Sequence, residues 1–466
     1  MKQIKLENFR CYADLAVNFK SGINLLVGDN ASGKTSIIKA CRYVLSSFFA
    51  GFSDENTKWI NKFGKDDFRE VSIYGEIQPL KPIEIQFIPH GNLFSYDIET
   101  KYLKNQTTPN RTVEYITPQQ RLFQNTTKNG KIILAGIKGY RQEAQELSRT
   151  YRQEAQELSR TYFNDDKRVK PLPLFAYFAA KDYENVNAQA KKKFKQYFHI
   201  PSFGYFECLD VKSNFSNWIF RLMVLQEGKE NLQDIDIVRS AIVDVLSIDG
   251  CNIITDMDVR DKQNDVFFTF TDGRNVASKN LSDGYKRVLN IVIDLAFRCV
   301  HLNRSMYNEC CCKETKGTVL IDEIDLHLHP TLQSTILKGL RNAFPNLQFI
   351  VTTHAPMVMS SVESNDENVV YRLDYSNEEG YSVNEVVTYG MDLSTISEFI
   401  LEQSPRNPEV DIRLTKLHDL IDNEEYEEAR SQLERYKAGR KISTPDATEI
   451  EAILNCEIID DTNEED

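Results

Sequence analysis

Gly28–Thr35 reads GDNASGKT; it follows the unbroken apolar run Ile23–Val27 and precedes Ser36–Leu45, where apolar residues recur at helical spacing. The order is strand, glycine-rich loop, helix. Gly28 and Gly33 let the backbone curl so that its N–H groups, with the positive end of the helix dipole, face phosphate oxygens. The spacing assigns Lys34 to the β- and γ-phosphates of a nucleotide and Thr35 to a Mg²⁺ ion, with Asn30, Ser32, Gly33 and Ser36 as the rest of the cradle. A glycine turn that matches by chance is the plain alternative, and the flanking strand and helix disfavour it.

Three further stretches lie downstream in a fixed order. Thr318–Asp325 (TVLIDEID) opens as a short apolar strand of the kind buried on both faces of a parallel sheet. It ends in two acids: Asp322, placed to hold Mg²⁺, and Glu323, placed to accept a proton from an attacking water. A second apolar strand, Leu347–Val351, leads through Thr352 and Thr353 to His354, whose imidazole is placed to sense the terminal phosphate. Leu281–Gly284 (LSDG) is the least specific by its letters, but Ser282 and Gly284 open a strongly helical run, Tyr285–Val300, and a helix N-terminus with a serine hydroxyl favours an anion. A simple helix cap is the competing reading of Ser282.

In this order the four stretches resemble the ABC-type ATPase superfamily. The resemblance implies an α/β fold: an ATPase head with a mixed sheet, a helical lobe, an inserted helical arm and a helical C-terminal extension. It also implies two ATP molecules sandwiched between two heads, with Ser282 acting on the nucleotide of the opposite copy, and Asp325, His327 and His329 in the loop at the seam. Asn8, Phe9 and Arg10 resemble the opening segment whose arginine flanks the nucleotide in the RecF-like and OLD-like branch.

Composition sets outer limits. A chain of 466 residues with 41% hydrophobic content buries one large or two medium cores. No run of about eighteen apolar residues occurs, and Lys2, Lys5 and Glu7 break the N-terminus, so a soluble cytoplasmic protein without a membrane span or signal peptide is expected. The nine cysteines lack paired spacing; Cys310, Cys311 and Cys312 read as reduced thiols in a polar connection, not as a disulfide or zinc framework. Of the net charge of −13, the piece Leu401–Asp466 carries −11, from 8 basic and 19 acidic residues. The body is therefore close to neutral, and the tail is a poor ligand for DNA and a docking surface for a basic protein. Lys191, Lys192, Lys193 and Lys195, with Phe194 and Tyr197 interleaved, allow phosphate contact, against the plainer reading of a solvated helix face.

Five segments follow: 1–90, an ATPase lobe with the phosphate loop; 91–170, an inserted arm; 171–300, a helical lobe ending in the LSDG helix; 301–390, the core with the paired acids and His354; and 391–466, the acidic helical tail. The arm contains YRQEAQELSRT twice in succession, Tyr140–Thr150 and Tyr151–Thr161. Eleven residues are close to three helical turns, so a duplication adds about 16 Å of helix with little rotation of its apolar edge. Asp256 and Asp258 read as a strand-end turn. In the tail, Leu414, Leu417, Leu420 and Ile421 share one helix face, and Tyr426, Ala429, Leu433 and Tyr436 another.

The short separation between phosphate loop and LSDG resembles the compact RecF-like and OLD-like branch, and no Toprim nuclease pattern follows His354. SEFILEQSPRNPEV, LIDNEEYEEARSQLERY and TPDATEIEAIL, within residues 395–454, resemble the tail of the ATPase subunits, PtuA, of Septu antiphage systems. That resemblance implies a homodimer or higher oligomer, ATP and Mg²⁺ as ligands, and an HNH-type nuclease as partner, restrained or released by nucleotide state. A RecF-like DNA-clamping repair ATPase and a nucleotide-gated scaffold with negligible turnover are the alternatives.

Overall fold

The computed structural model describes residues 1–46, 49, 60, 63–73, 76–79, 83–88, 104–105, 113–114, 121–126, 129–132, 171–180, 201–210, 215–229, 232–248, 251–260, 263, 265–378, 380–403, 407–437 and 444–464. These fall into two compact units, Met1–Met391 and Asp392–Asp466.

The first unit is an α/β fold built on a six-stranded sheet. Its order is Leu174–Phe178, Gly317–Ile321, Leu347–Thr352, Ile23–Gly28, Val369–Ser376 and Gly380–Val386. The first five strands run parallel, and the last pairs antiparallel with its neighbour. Every residue of the strands at Ile23, Gly317 and Leu347 is buried, which is why they read as continuous apolar runs and not as alternation. Because the strands are parallel, the loops after Gly28, Ile321 and Thr352 leave the sheet on one side, bringing distant sequence stretches together.

A second, antiparallel sheet has the order Asn129–Ile132, Arg121–Thr126, Ile83–Ile88, Gln3–Phe9, Tyr12–Asn18. The helix Lys34–Ser46 contacts strands of both sheets and buries ten of its thirteen residues. Helices Phe215–Gly228 and Leu232–Leu246 pack on the long helix Asp283–Tyr307, and a three-stranded sheet (Ile254–Arg260, Asp265–Phe270, Asn275–Ala277) packs on those two helices. Within that helix Arg298 Nε and Nη2 donate to the buried Asp294 carboxylate at 2.6 and 2.9 Å, and the guanidinium so oriented ties the helix to Gly204 O through Nη1 at 2.7 Å. Asn303 holds the chain entering the strand at Leu174 by exchanging two hydrogen bonds with the Leu172 backbone, each 2.8 Å.

Three expectations change. The described part of 91–170 is β-structure that joins the second sheet: Arg121–Thr126 pairs with Ile83–Ile88, satisfying backbone groups of a strand that otherwise would form the sheet's edge. The duplicated segment and the Lys191–Lys195 run lie outside the described residues. Asp256 and Asp258 sit within strand Ile254–Arg260 and not at a turn; Arg239 and Arg260 pair with them at 3.3 and 2.7 Å. Cys311 and Cys312 begin a short helix and are buried, leaving Cys310 exposed.

In the second unit, helices Pro408–Asp422, Tyr426–Lys437 and Pro445–Glu464 enclose an apolar cluster of Leu414, Leu417, Ala429, Leu433, Tyr436, Ala447, Ile450 and Leu454. The apolar stripes face one another, and the acidic residues take the outer faces.

Candidate functional site

The phosphate loop joins strand Ile23–Gly28 to helix Lys34–Ser46, and it turns through left-handed backbone at Ala31 (φ 68°) and Gly33 (φ 94°). Gly33 is required twice over. Besides its φ, a Cβ there would fall 2.1 Å from the Tyr12 hydroxyl, which packs over the loop. The helix begins at Lys34; the Ser36 and Ile37 N–H groups already donate to Gly33 O at 2.8 and 3.2 Å, so the anion-binding end of the helix is the segment at Lys34 and Thr35.

Lys34 is 6% exposed, and its Nζ donates to Gly28 O at 2.8 Å, Asp29 O at 2.6 Å and Ser32 Oγ at 3.2 Å. Burial pushes its ammonium down to about 8, opposed by Asp29, Asp322, Glu323 and Asp325. The cation is thus costly to keep where it lies and poised to gain from a bound polyanion.

Asp322 and Glu323 follow strand Gly317–Ile321, and the neighbouring strand supplies their organiser, Thr352. Its hydroxyl donates to Asp322 Oδ1 at 2.7 Å and accepts from the Glu323 N–H at 2.8 Å. Thr35 Oγ1 lies 3.3 Å from the same Asp322 oxygen. A hydroxyl and a carboxylate sharing one point are the hard oxygen donors that Mg²⁺ takes from a protein, and this donor set fits the ion. Among the described residues no group of three or more His, Cys, Asp or Glu side chains is disposed to hold a metal by itself.

Glu323 has φ 53°, in the left-handed region. Asp325 is half-buried and accepts from Thr353 Oγ1 at 2.6 Å; His327 and His329 are exposed. His354 is half-buried, and its imidazole is held below the ordinary value, first by burial and then by the Lys34 cation, against Asp325, Glu323 and Asp29.

Lys34, Thr35, Glu323 and His354 open onto a cleft of ≈ 730 Å³ whose lining also includes Arg10, Cys11, Asn30, Asp66, Phe68, Glu70 and Tyr381. Gly33 and Ser36 line it too, and Ser32 is buried beneath, bound to Lys34. Arg10 occupies the turn between strands Gln3–Phe9 and Tyr12–Asn18 with φ 53°, its N–H donating to Asp67 O at 2.9 Å. Asp67 is fully buried; it accepts from Tyr43 Oη at 2.6 Å and Gly64 N at 2.7 Å and pairs with Lys39 at 2.6 Å. One carboxylate therefore ties the wall of the cleft at Asp66 and Phe68 to the phosphate-loop helix.

Ser282 and Gly284 are not among the residues lining this cleft. Ser282 is exposed at the N-cap of helix Asp283–Tyr307, and its side chain makes no capping bond. Gly284 is buried against the loop after the paired acids, where a Cβ would meet His327 O at 2.4 Å.

Sequence reasoning missed Thr352, Tyr12 and Arg287. Thr352 carried a signal, a polar residue closing an apolar strand. Arg287 carried none, because its partners are backbone carbonyls of Ala179, Asp322 and Glu323, far away in sequence.

A family model described as "AAA domain, putative AbiEii toxin, Type IV TA system" matches residues 23–360. The "Retron Vc95 probable ATPase" of Vibrio cholerae serotype O1 biovar El Tor is 47% identical over 103 residues, 22% of this chain and 20% of that protein. The "Septu protein PtuA" of Bacillus mycoides is 34% identical over 151 residues, 32% of this chain and 19% of that protein. The "DNA replication and repair protein RecF" of Oenococcus oeni is 33% identical over 119 residues, 25% of this chain and 28% of that protein. The chain thus covers between a fifth and three tenths of the length of these relatives.

Proposed function

This chain belongs to the AAA-domain family whose model spans residues 23–360, and from that premise we propose that it is an ATPase of the ABC type. The observation that carries the reading is the convergence of Lys34, Thr35, Asp322, Glu323 and His354 from three parallel strand ends. Lys34 exchanges the carbonyls of Gly28 and Asp29 for the outer phosphates of ATP. Thr35 and Asp322 would hold Mg²⁺, which would neutralise charge developing on the transferred phosphoryl group. Glu323 accepts a proton from water as the water oxygen bonds to the γ-phosphorus and the bond to ADP breaks. His354 faces the terminal phosphate.

Two copies complete the site. Ser282 lies outside its own chain's cleft, exposed at a helix N-terminus, which is where a donor to a second copy's nucleotide belongs. Hydrolysis removes the shared ligand and reopens the pair. The likeness to a Septu protein and a retron ATPase supports a role in antiphage defence, with nucleotide state controlling an HNH-type nuclease partner. Its test is reconstitution with the product of the adjacent reading frame: DNA cleavage that changes with ATP supports the reading. The likeness to RecF favours a DNA-clamping repair ATPase as second reading. DNA retention by this chain alone, with no nuclease partner, would favour that one. Phosphate release from ATP and Mg²⁺ tests the activity itself, and its absence in every combination rejects it.

A further inference from the structure

We infer that Arg287 is a positioning residue through which the first turns of helix Asp283–Tyr307 hold Glu323 in its working orientation; the inference rests on the ATPase reading above. Arg287 is 3% exposed and projects from the helix that Ser282 caps. Its Nη2 donates to Asp322 O at 2.8 Å and Glu323 O at 2.9 Å, and its Nη1 to Ala179 O at 3.3 Å. One guanidinium thus gathers the chain just past two neighbouring parallel strands, Leu174–Phe178 and Gly317–Ile321.

The residue it grips needs gripping. Glu323 is a non-glycine residue at φ 53°, a conformation that persists only where its surroundings over-determine it. Three neighbours do so, and one of them is local: the Leu326 N–H donates to Glu323 O at 3.1 Å. Thr352 takes the Glu323 N–H through its hydroxyl at 2.8 Å and the Ile324 N–H through its carbonyl at 3.0 Å. Arg287 takes the Glu323 carbonyl. Peptide groups on both sides of the glutamate are therefore held, one from the sheet and one from the helix. The same helix meets the loop again where Gly284 abuts His327 O.

Arg287 does not line the nucleotide cleft, so its effect on turnover runs through the backbone of Glu323. A planar fork suits the task, since several carbonyls are met in fixed directions, and a lysine supplies only a point charge. Ser282 stands five residues earlier on the same helix. Any ligand engaging that exposed end bears on an element already bolted to the base.

The test uses the full chain with Arg287→Lys, Arg287→Met and Glu323→Gln. Steady-state hydrolysis of ATP with Mg²⁺ gives kcat and KM, and hydrogen exchange over residues 319–329 of the ligand-free protein reads the loop without turnover. Expected is a kcat lowered about tenfold or more with KM moved less than about threefold, the lysine variant being the milder. Exchange should rise in 319–329 alone, and Arg287→Lys should add nothing to the loss already caused by Glu323→Gln. Unchanged kcat and exchange overturn the inference, as do losses that multiply in the double variant or a general rise in exchange with loss of ATP binding. Should wild-type protein bind ATP without hydrolysing it, the ATPase reading fails. Exchange then decides whether Arg287 holds the loop: unchanged protection in 319–329 rejects that hold, and a local rise upholds it.

Discussion

Thr352 and Asp322 are joined by a 2.7 Å hydrogen bond across neighbouring parallel strands, and the same threonine hydroxyl receives the N–H of Glu323 at 2.8 Å. A hydroxyl that donates to one acid and accepts from the peptide of the next fixes the pair in different directions. Asp322 turns toward Thr35, and Glu323 toward the cleft. Two adjacent carboxylates are thereby aimed apart, as the proposed roles of metal donor and base require.

Glu323→Gln removes the proton acceptor and keeps the side chain's size. Turnover should fall roughly 100- to 10,000-fold with ATP still bound. If two copies close on nucleotide, this variant should accumulate as dimers in light scattering with ATP and Mg²⁺. Wild-type turnover in the variant rejects Glu323 as base.

Lys34 titrates near 8 in the free protein because burial disfavours its charge. A bound triphosphate favours that charge and raises the value again, so binding between the two values takes up a proton. ATP affinity should weaken as pH rises from 7 through 9, with proton uptake visible when calorimetry is repeated in buffers of different ionisation enthalpy. Lys34→Met should abolish both; a pH-independent affinity contradicts the assignment.

Gly33→Ala places a methyl group against the Tyr12 hydroxyl in a left-handed residue. The variant should lose ATP binding and about 1–3 kcal/mol of stability, read by denaturant unfolding. Adding Tyr12→Phe should recover only part of this, since φ stays at 94°.

Ser282→Arg should leave ATP binding within about twofold while turnover falls tenfold or more and nucleotide-dependent dimers disappear. The motive is its exposed position outside the cleft. A variant that dimerises and hydrolyses normally removes Ser282 from the mechanism.

Much of the parallel core was legible because strands buried on both faces leave unbroken apolar runs, as at Ile23–Val27 and Leu347–Val351. Chemistry at their ends stood out as abrupt polarity: GDNASGKT, Asp322 with Glu323, and His354. Pairings set by distant chain were not legible. Arg121–Thr126 lacks clear alternation, yet it joins a sheet whose open edge accepts it. Asp256 and Asp258 looked like a turn because acids are scarce in strands, and Arg239 and Arg260 offset that here. The hydrogen bond of Asp325 depends on Thr353, and the place of Arg287 depends on three carbonyls; neither leaves a mark in local sequence.

Asp67 carries a last consequence. Since a single interior acid pins the segment bearing Asp66 and Phe68 to the helix that starts at Lys34, floor and flank of the chamber travel as one piece. That side of the chamber is therefore set by the fold itself, and the nucleotide proposed for it would meet a preformed wall.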